Sequence, residues 1–408
     1  MDSQIFDVAI IGGGPVGASL ALGLANAGVQ TCLVDARTDA DRTKHDGRNF
    51  AIVSGSWHLL QTIGISEPLT EISQHLHGLE AVDGGTHWFG RPSVLFTDAD
   101  LDSPDPEETL GYMVRAEALQ SELDKAIRTS QNLKLVAPAQ FAGLEQTPGA
   151  IKVSLKSGEQ IKARLLIGAD GMRSPVRHAL NIGTEGRDYF KSVFTANVKL
   201  EQPHDGIARQ LFTPEGPFAT LPLTGQRANL AWYMKRGAAE ALSAMPTKDA
   251  ETELNARFAD FSGSMQIEGE TGSYPLVLQL ATEITAERAA LVGDAARRVN
   301  PLAGQGLNQG FRDVAALIEV LSAAQHTGLD IGSAPVLERY SQARRFDATA
   351  TSLVLDGIDR LFSNDAILTK PVRSIGLMAA SKISPLRRFM ARKSSAAEDG
   401  VPGPMKVL

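Results

Sequence analysis

A single cysteine in 408 residues, Cys32, excludes a disulfide scaffold and any zinc or iron–sulfur centre built on cysteine ligands. No Ser-His-Asp set and no metal-ligand cluster is legible. The near pair His75 and His77 lacks a third ligand and reads as surface or structural. The first seven residues hold Asp2 and Asp7 but no lysine or arginine, so the basic region of a signal peptide is missing. The longest uncharged stretch, Val8 to Val34, has the length of a membrane span. Gly12-Gly13-Gly14-Pro15 interrupts it, and Asn26, Gln30 and Thr31 follow, so it reads as strand–turn–helix–strand in a soluble protein. A net charge of −7 argues against general nucleic-acid affinity. With 43% apolar and 21% charged residues, the chain is a globular one of two to three domains, suited to a reducing cytoplasm.

Phe6 to Ile11 forms a short apolar strand, followed by Gly12-Gly13-Gly14-Pro15-Val16-Gly17. Ala18 to Ala27 has helical composition, Gly28 is a C-cap, and Val29 to Val34 is a second strand ending in Asp35. This is the dinucleotide fingerprint in its required context. Gly12 permits the tight turn, Gly14 lets a pyrophosphate approach the backbone, and Gly17 lets helix and strand pack closely. The helix N-terminus supplies N–H donors and the positive end of its dipole. Asp35 is placed to accept hydrogen bonds from adenosine ribose hydroxyls and disfavours a 2′-phosphate. Cys32, in the second strand, is a small core residue.

Acids are absent from residues 366–397, which carry Lys370, Arg373, Lys382, Arg387, Arg388, Arg392 and Lys393 interleaved with apolar residues. The segment is either a helical pair with solvated basic faces or a docking surface for anionic lipid headgroups. Ser394 to Leu408 is rich in Ser, Ala, Gly and Pro and reads as a frayed tail.

Two further strand–turn–acid units are more than a plain NAD dehydrogenase needs. Arg164–Arg177 runs from an apolar strand through Gly168-Ala169-Asp170-Gly171 into a basic helix start. Ala289–Ala296 is a strand ending in Gly293-Asp294, followed by the glycine-rich loop Asn300–Asn308 and a long helix from Gln309 to Ala324. Together with the first motif, GADGMRSPVR and GDAARRVNPLAGQGLNQGFRDV resemble the single-component FAD-dependent aromatic hydroxylases. PLAGQGLNQGFRDV resembles the branch that hydroxylates prenylated phenols in ubiquinone biosynthesis. The resemblance covers about residues 5–390 and includes Asp46-Gly47-Arg48, Arg209–Phe212 and Leu221-Pro222-Leu223. One departure is Asn300, where the branch usually has histidine before proline; asparagine does not titrate near neutral pH.

The resemblance implies an α/β fold: a discontinuous Rossmann-like FAD-binding domain, an inserted mixed-sheet substrate domain and a helical C-terminus. The expected division is 1–75, 111–178 and 282–345 for the cofactor domain and 76–110 and 179–281 for the substrate domain. A helical segment at 346–393 and a tail at 394–408 follow. It further implies that Asp294 bonds the ribityl chain and that Arg48 reaches the pyrophosphate, the alternative being a surface arginine. Arg115 sits near ribityl and phosphate. Asp170 supports the cofactor domain and reductant docking, the alternative being a structural turn acid. Gly304, Gly306, Leu307 and Asn308 pass close to the flavin ring, with the N–H groups of Leu307 and Asn308 facing its pyrimidine end. Pro301 and Gly304 lie nearest the reactive edge.

No second GxGxxG with its own frame is present, so the reductant, NAD(P)H or a protein, is an external donor. The implied chemistry is hydroxylation by O2 through a flavin C4a-hydroperoxide, the protein excluding water and orienting the phenol. Runs such as Val193–Leu200 and Ala228–Met234 read as a sheet roofing the flavin. Phe218, Pro222 and Trp232 are candidates for an apolar ring pocket, with core packing as the alternative. Expected partners are a prenylated phenol, other ubiquinone-biosynthesis proteins and an anionic membrane surface on the inner face. A hydroxylase of small soluble phenols or aromatic acids and a non-catalytic flavoprotein scaffold are the alternative functions.

Overall fold

The computed structural model describes residues 5–42, 47–84, 91–101, 108–298 and 305–345, together with 388, 391–392, 395 and 401–406. Two eight-stranded sheets and one three-stranded sheet organise them. The cofactor sheet runs, in spatial order, Thr285–Ala286, Ala289–Leu291, Gln160–Gly168, Ile5–Ile11, Thr31–Val34 and Leu133–Val136. The last five are parallel, with Ile11 opposite both Gly168 and Val34. Parallel strands covered on both faces need apolar side chains throughout, and Val8, Ala9 and Ile10 are fully buried. An antiparallel pair, Phe141–Thr147 and Ala150–Leu155, hangs on the N-terminal half of Gln160–Gly168. Helices Pro15–Asn26, Ala116–Thr129 and Gln305–His326 pack with this sheet into one core. Cys32 lies in that core, where burial pushes its thiol up to about 12 and leaves it unreactive.

The second sheet is ordered Arg297–Arg298, Met265–Ala281, Thr184–Leu200, Arg227–Lys235, Gly216–Leu223, Ile207–Thr213, Gly78–Asp83 and Ser93–Thr97. It draws on residues 78–97 and on 184–281. It also takes Arg297–Arg298, so the edge of this sheet reaches into the stretch expected to belong wholly to the cofactor domain. One face is covered by helices Arg236–Ser243 and Thr247–Ser262 around Phe194, Phe218, Leu230 and Trp232. The other face turns toward the small sheet, Asn49–Val53, Gly111–Arg115 and Gln74–Leu76. The large sheet is therefore a roof, and the small sheet part of the floor beneath it.

Residues 401–406 depart from the frayed tail expected. Val401 and Met405 are buried in the cofactor core. His58 Nδ1 bonds the Met405 carbonyl at 3.2 Å, Thr62 Oγ1 donates to the Pro404 carbonyl at 3.1 Å, and the Gly403 N–H donates to Glu319 at 3.0 Å. Two apolar side chains seated between helices Ser54–Thr62 and Gln305–His326 outweigh the polar composition around them. Most of the basic segment 366–397, and residues 346–387 as a whole, lie outside the described residues.

Candidate cofactor and substrate site

The turn after Ile5–Ile11 behaves as its glycines require. Gly12 has φ +108°, and a β-carbon there would run into the Ala169 carbonyl. Gly17 packs against the Gly12 carbonyl. Gly14, by contrast, faces open space: a β-carbon on it meets no atom within 4 Å. It is also the N-cap of helix Pro15–Asn26, which has no side-chain cap and no acid in its first turn. The first-turn N–H groups are thus left for an anion, and there is room for a pyrophosphate beside them. Gly13, which the fingerprint leaves open, is equally constrained, because a β-carbon there would strike the Asp35 carboxylate.

Asp35 is buried and engaged by two arginines missed in the sequence, Arg37 at 2.6 Å and Arg42 at 2.7 Å. Arg42 also pairs with Asp124 at 2.6 Å, and Gln120 bridges Asp124 to the Gly13 carbonyl. The acid expected to meet the ribose is therefore held in position by a charged network from three separate segments.

Asp294 lies in the turn Gly293–Ala295, directly after strand Ala289–Leu291. Its carboxyl is open to solvent yet walled by protein on most sides, as befits a cleft. Those walls raise its pKa above the ordinary carboxylate value, while Arg298 and Arg48 pull it down. Arg48 thus shares the electrostatic neighbourhood of Asp294, and it also lies 5.8 Å from the Phe50 ring. Arg115 is exposed, opposite Asn49 in the small sheet, and pairs with Glu117 at 3.1 Å. Asp170 accepts from the Val176 N–H at 2.9 Å and so caps the short helix Pro175–Ala179. Burial raises its pKa against hydrogen bonds from Ser174 and Val176 and the charge of Arg177. Its Oδ1 is buried without a partner among the described residues.

Gly306, Leu307 and Asn308 open helix Gln305–His326. The Asn308 side chain is committed to strand Asn49–Val53, donating to the Ala51 carbonyl at 2.8 Å and accepting from Val53 at 3.2 Å. That side chain braces the start of the helix against the small sheet. Pro301 and Gly304, and Asn300 with them, lie outside the described residues.

A buried ionic knot, unread in the sequence, sits behind the Asp294 turn. Asp313 is fully buried and binds Arg297 at 2.7 Å, Arg344 at 2.6 Å and the Gly293 N–H at 2.9 Å. Arg344 continues to Gln309 at 3.1 Å. Gly293, at φ +57°, is thereby tied to the long helix, and Asp294 is aimed by that tie.

The three candidate pocket residues take the core-packing alternative. Phe218 and Trp232 face the helices: Phe218 stacks on Phe258 at 3.7 Å, and Trp232 meets Phe258 edge-on at 4.9 Å. Pro222 pairs with Ala228, which belongs to the same helix-facing core. All three fall on the face turned away from the floor. Their strand neighbours Ala219, Leu221 and Ala231 occupy the other face, with Leu221 packed among floor residues including Ala51 and Met113.

Residues 6–352 match the family described as an FAD binding domain. The chain belongs to the FAD-dependent aromatic hydroxylases. Ubiquinone hydroxylase UbiL of Rhodospirillum rubrum is 35% identical over 407 residues, covering 99% of this chain and 93% of that protein. The 3-demethoxyubiquinol 3-hydroxylase of Escherichia coli is 34% identical over 392 residues, covering 95% and 98%. Among solved structures, p-nitrophenol 4-monooxygenase PnpA from Pseudomonas putida superposes with a TM-score of 0.78 at 18% identity, covering 96% of this chain and 98% of that one, a likeness of fold. The cofactor of this hydroxylase is FAD, and the open space at Gly14, the uncapped helix and the Asp294 cleft fit it.

Proposed function

We propose that this protein hydroxylates the aromatic ring of a prenylated phenol in ubiquinone biosynthesis. The observation that carries the reading is near full-length similarity, at 34–35% identity, to two proteins named as ubiquinone-pathway hydroxylases. The underside of the roof supports it. Its apolar residues Ala208, Leu221 and Leu223, clustered with residues of the floor, are of the chemistry that a prenyl tail would pack against.

In this reading the uncapped N-terminus of helix Pro15–Asn26 binds the pyrophosphate and Asp35 the adenosine ribose. Asp294, aimed by Asp313 through Gly293, bonds the ribityl chain. The N–H groups of Leu307 and Asn308 stabilise negative charge at the pyrimidine edge. Reduced FAD supplies the activated oxygen that is transferred to the ring. The roof would keep water from the ring and hold it in place beside the cofactor. An external donor, NAD(P)H or a protein, provides the electrons.

Among the described residues, no helix is long and apolar enough to cross a membrane. We place the protein in the cytoplasm, with access to a lipid-soluble substrate through contact of the basic segment 366–397 with anionic headgroups. Truncating that segment would also remove the buried Met405. The suitable variant therefore replaces Lys370, Arg373, Lys382 and Arg387 by glutamine, and co-sedimentation with anionic vesicles should fall. Undiminished co-sedimentation refutes the membrane contact.

The primary test is the quinone-lipid profile of a cell lacking this chain. A prenylphenol short of one hydroxyl should accumulate, and its structure identifies the ring carbon. An unchanged ubiquinone pool overturns the reading and favours a small soluble phenol.

A further inference from the structure

On the underside of the roof, three polar side chains meet an asparagine from the floor. Asn229 Nδ2 donates to Asn197 Oδ1 at 2.9 Å and to Thr195 Oγ1 at 3.2 Å. Asn49, in the floor strand Asn49–Val53, donates to the same Asn197 Oδ1 at 3.1 Å. Asn197 and Asn229 stand directly opposite each other on adjacent strands, so the pair is fixed by sheet register.

One atom of Asn197 takes both bonds, and one atom of Asn229 makes both. Whichever way each amide is turned, each keeps one polar atom with no protein partner among the described residues. Both side chains are half-buried. On one side of the cluster the roof is lined by Ala208, Leu221 and Leu223, and on the other by Val193, Tyr233 and Leu276. A donor and an acceptor thus remain between two apolar flanks, beside the point where roof and floor meet. Polar groups in such a place are satisfied by water or by a ligand that brings matching oxygens.

From this geometry we infer that Asn197 and Asn229 form a specificity site that reads an oxygen substituent on the substrate ring. The inference rests on the functional reading above and deepens it. The cofactor's own polar edges are served from the floor side, by Asp294 and by the first turn of helix Gln305–His326, which leaves the roof-side pair for the substrate. A carboxamide N–H donates to a phenol or alkoxy oxygen, and the opposing carbonyl accepts a phenol proton. A substrate without the ring oxygen leaves the remaining polar atom of each amide unpaired, and rejection follows from that cost.

The test compares a short-chain prenylphenol with the matching prenylbenzene in the FAD-loaded full chain. It follows KM, kcat, hydroxylated product per O2 consumed, and hydrogen peroxide release. Asn197→Leu and Asn229→Leu should each raise KM for the phenol about tenfold, the effect of one lost hydrogen bond of about 1.4 kcal/mol. Coupling should fall, peroxide should rise, and preference for the phenol over the prenylbenzene should shrink, with flavin content unchanged. Asn229→Ser, which keeps a hydroxyl, should recover part of the preference and serves if a leucine variant does not fold. Undiminished preference in every folded variant overturns the assignment and makes the cluster a brace between roof and floor. Loss of FAD in the variants overturns it in favour of cofactor binding. A wild-type chain that neither binds nor hydroxylates prenylphenols refutes the functional reading and the assignment together.

Discussion

Asp313→Asn should be among the most damaging single changes in this protein outside its hydrophobic cores. The carboxylate is fully buried, and its two arginine partners expose only 6% and 2% of their side chains. Removing this acid deprives two desolvated guanidinium groups of the carboxylate they share. Breaking a buried pair in this way costs about 3–5 kcal/mol, against a total stability of about 5–15 kcal/mol for a typical domain. The amide retains one acceptor, which places the loss toward the lower end of that range. Chemical unfolding of the FAD-free variant measures it. A double-mutant cycle isolates the charge effect: in Asp313→Asn with Arg344→Gln one buried cation is gone, so the double variant should be more stable than the sum of the single losses implies. FAD affinity should fall as well, since Gly293 loses its anchor and Asp294 its aim. A loss below about 1 kcal/mol, or strictly additive single variants, would refute the argument that this knot balances buried charge.

Gly14→Ala should fold normally, because its β-carbon meets nothing, yet bind FAD at least tenfold more weakly in a flavin titration. Gly12→Ala, with φ +108° and a carbonyl in the way, should instead lose thermal stability even without cofactor. Phe218→Ala should cost about 3–5 kcal/mol in unfolding assays with KM for substrate little changed, whereas Leu221→Ala should shift KM; the reverse pattern would refute the assignment of faces. Burial raises the Asp294 pKa in the folded protein, so the folded state holds that proton more firmly than the unfolded chain. Its contribution favours folding below the ordinary carboxylate range and is lost as pH rises through the raised value. Asp294→Asn should therefore flatten that part of the FAD-free stability–pH curve while weakening FAD binding.

The cofactor half of the site was legible because its chemistry is local. Gly12, Gly14 and Gly17 sit within six residues: Gly17 is constrained by the Gly12 carbonyl, Gly12 by Ala169 at the end of the neighbouring strand, and Gly14 is left open. Asp35 and Asp294 were legible as acids ending apolar strands. The roof was legible as strands but not as faces. Alternation in Gly216–Leu223 and Arg227–Lys235 offers apolar residues on both sides, and only the helices that follow decide which side is core. The Asp313 knot was illegible for another reason. Its partners lie 16 and 31 residues away, on a strand edge and a separate helix, with no periodicity linking them. Residues 401–406 misled because composition alone cannot register that two apolar side chains find a seat.

That seat has a consequence for folding. The cofactor core is assembled from strand Ile5–Ile11 and, at the far end of the chain, from Val401 and Met405. The residues that close the gap between helices Ser54–Thr62 and Gln305–His326 are thus joined to the first strand only by contacts of very high sequence separation. Such contacts carry a large loop-closure cost and form late in folding. A fusion that displaces Met405 would act on this late closure, far from any residue that touches FAD.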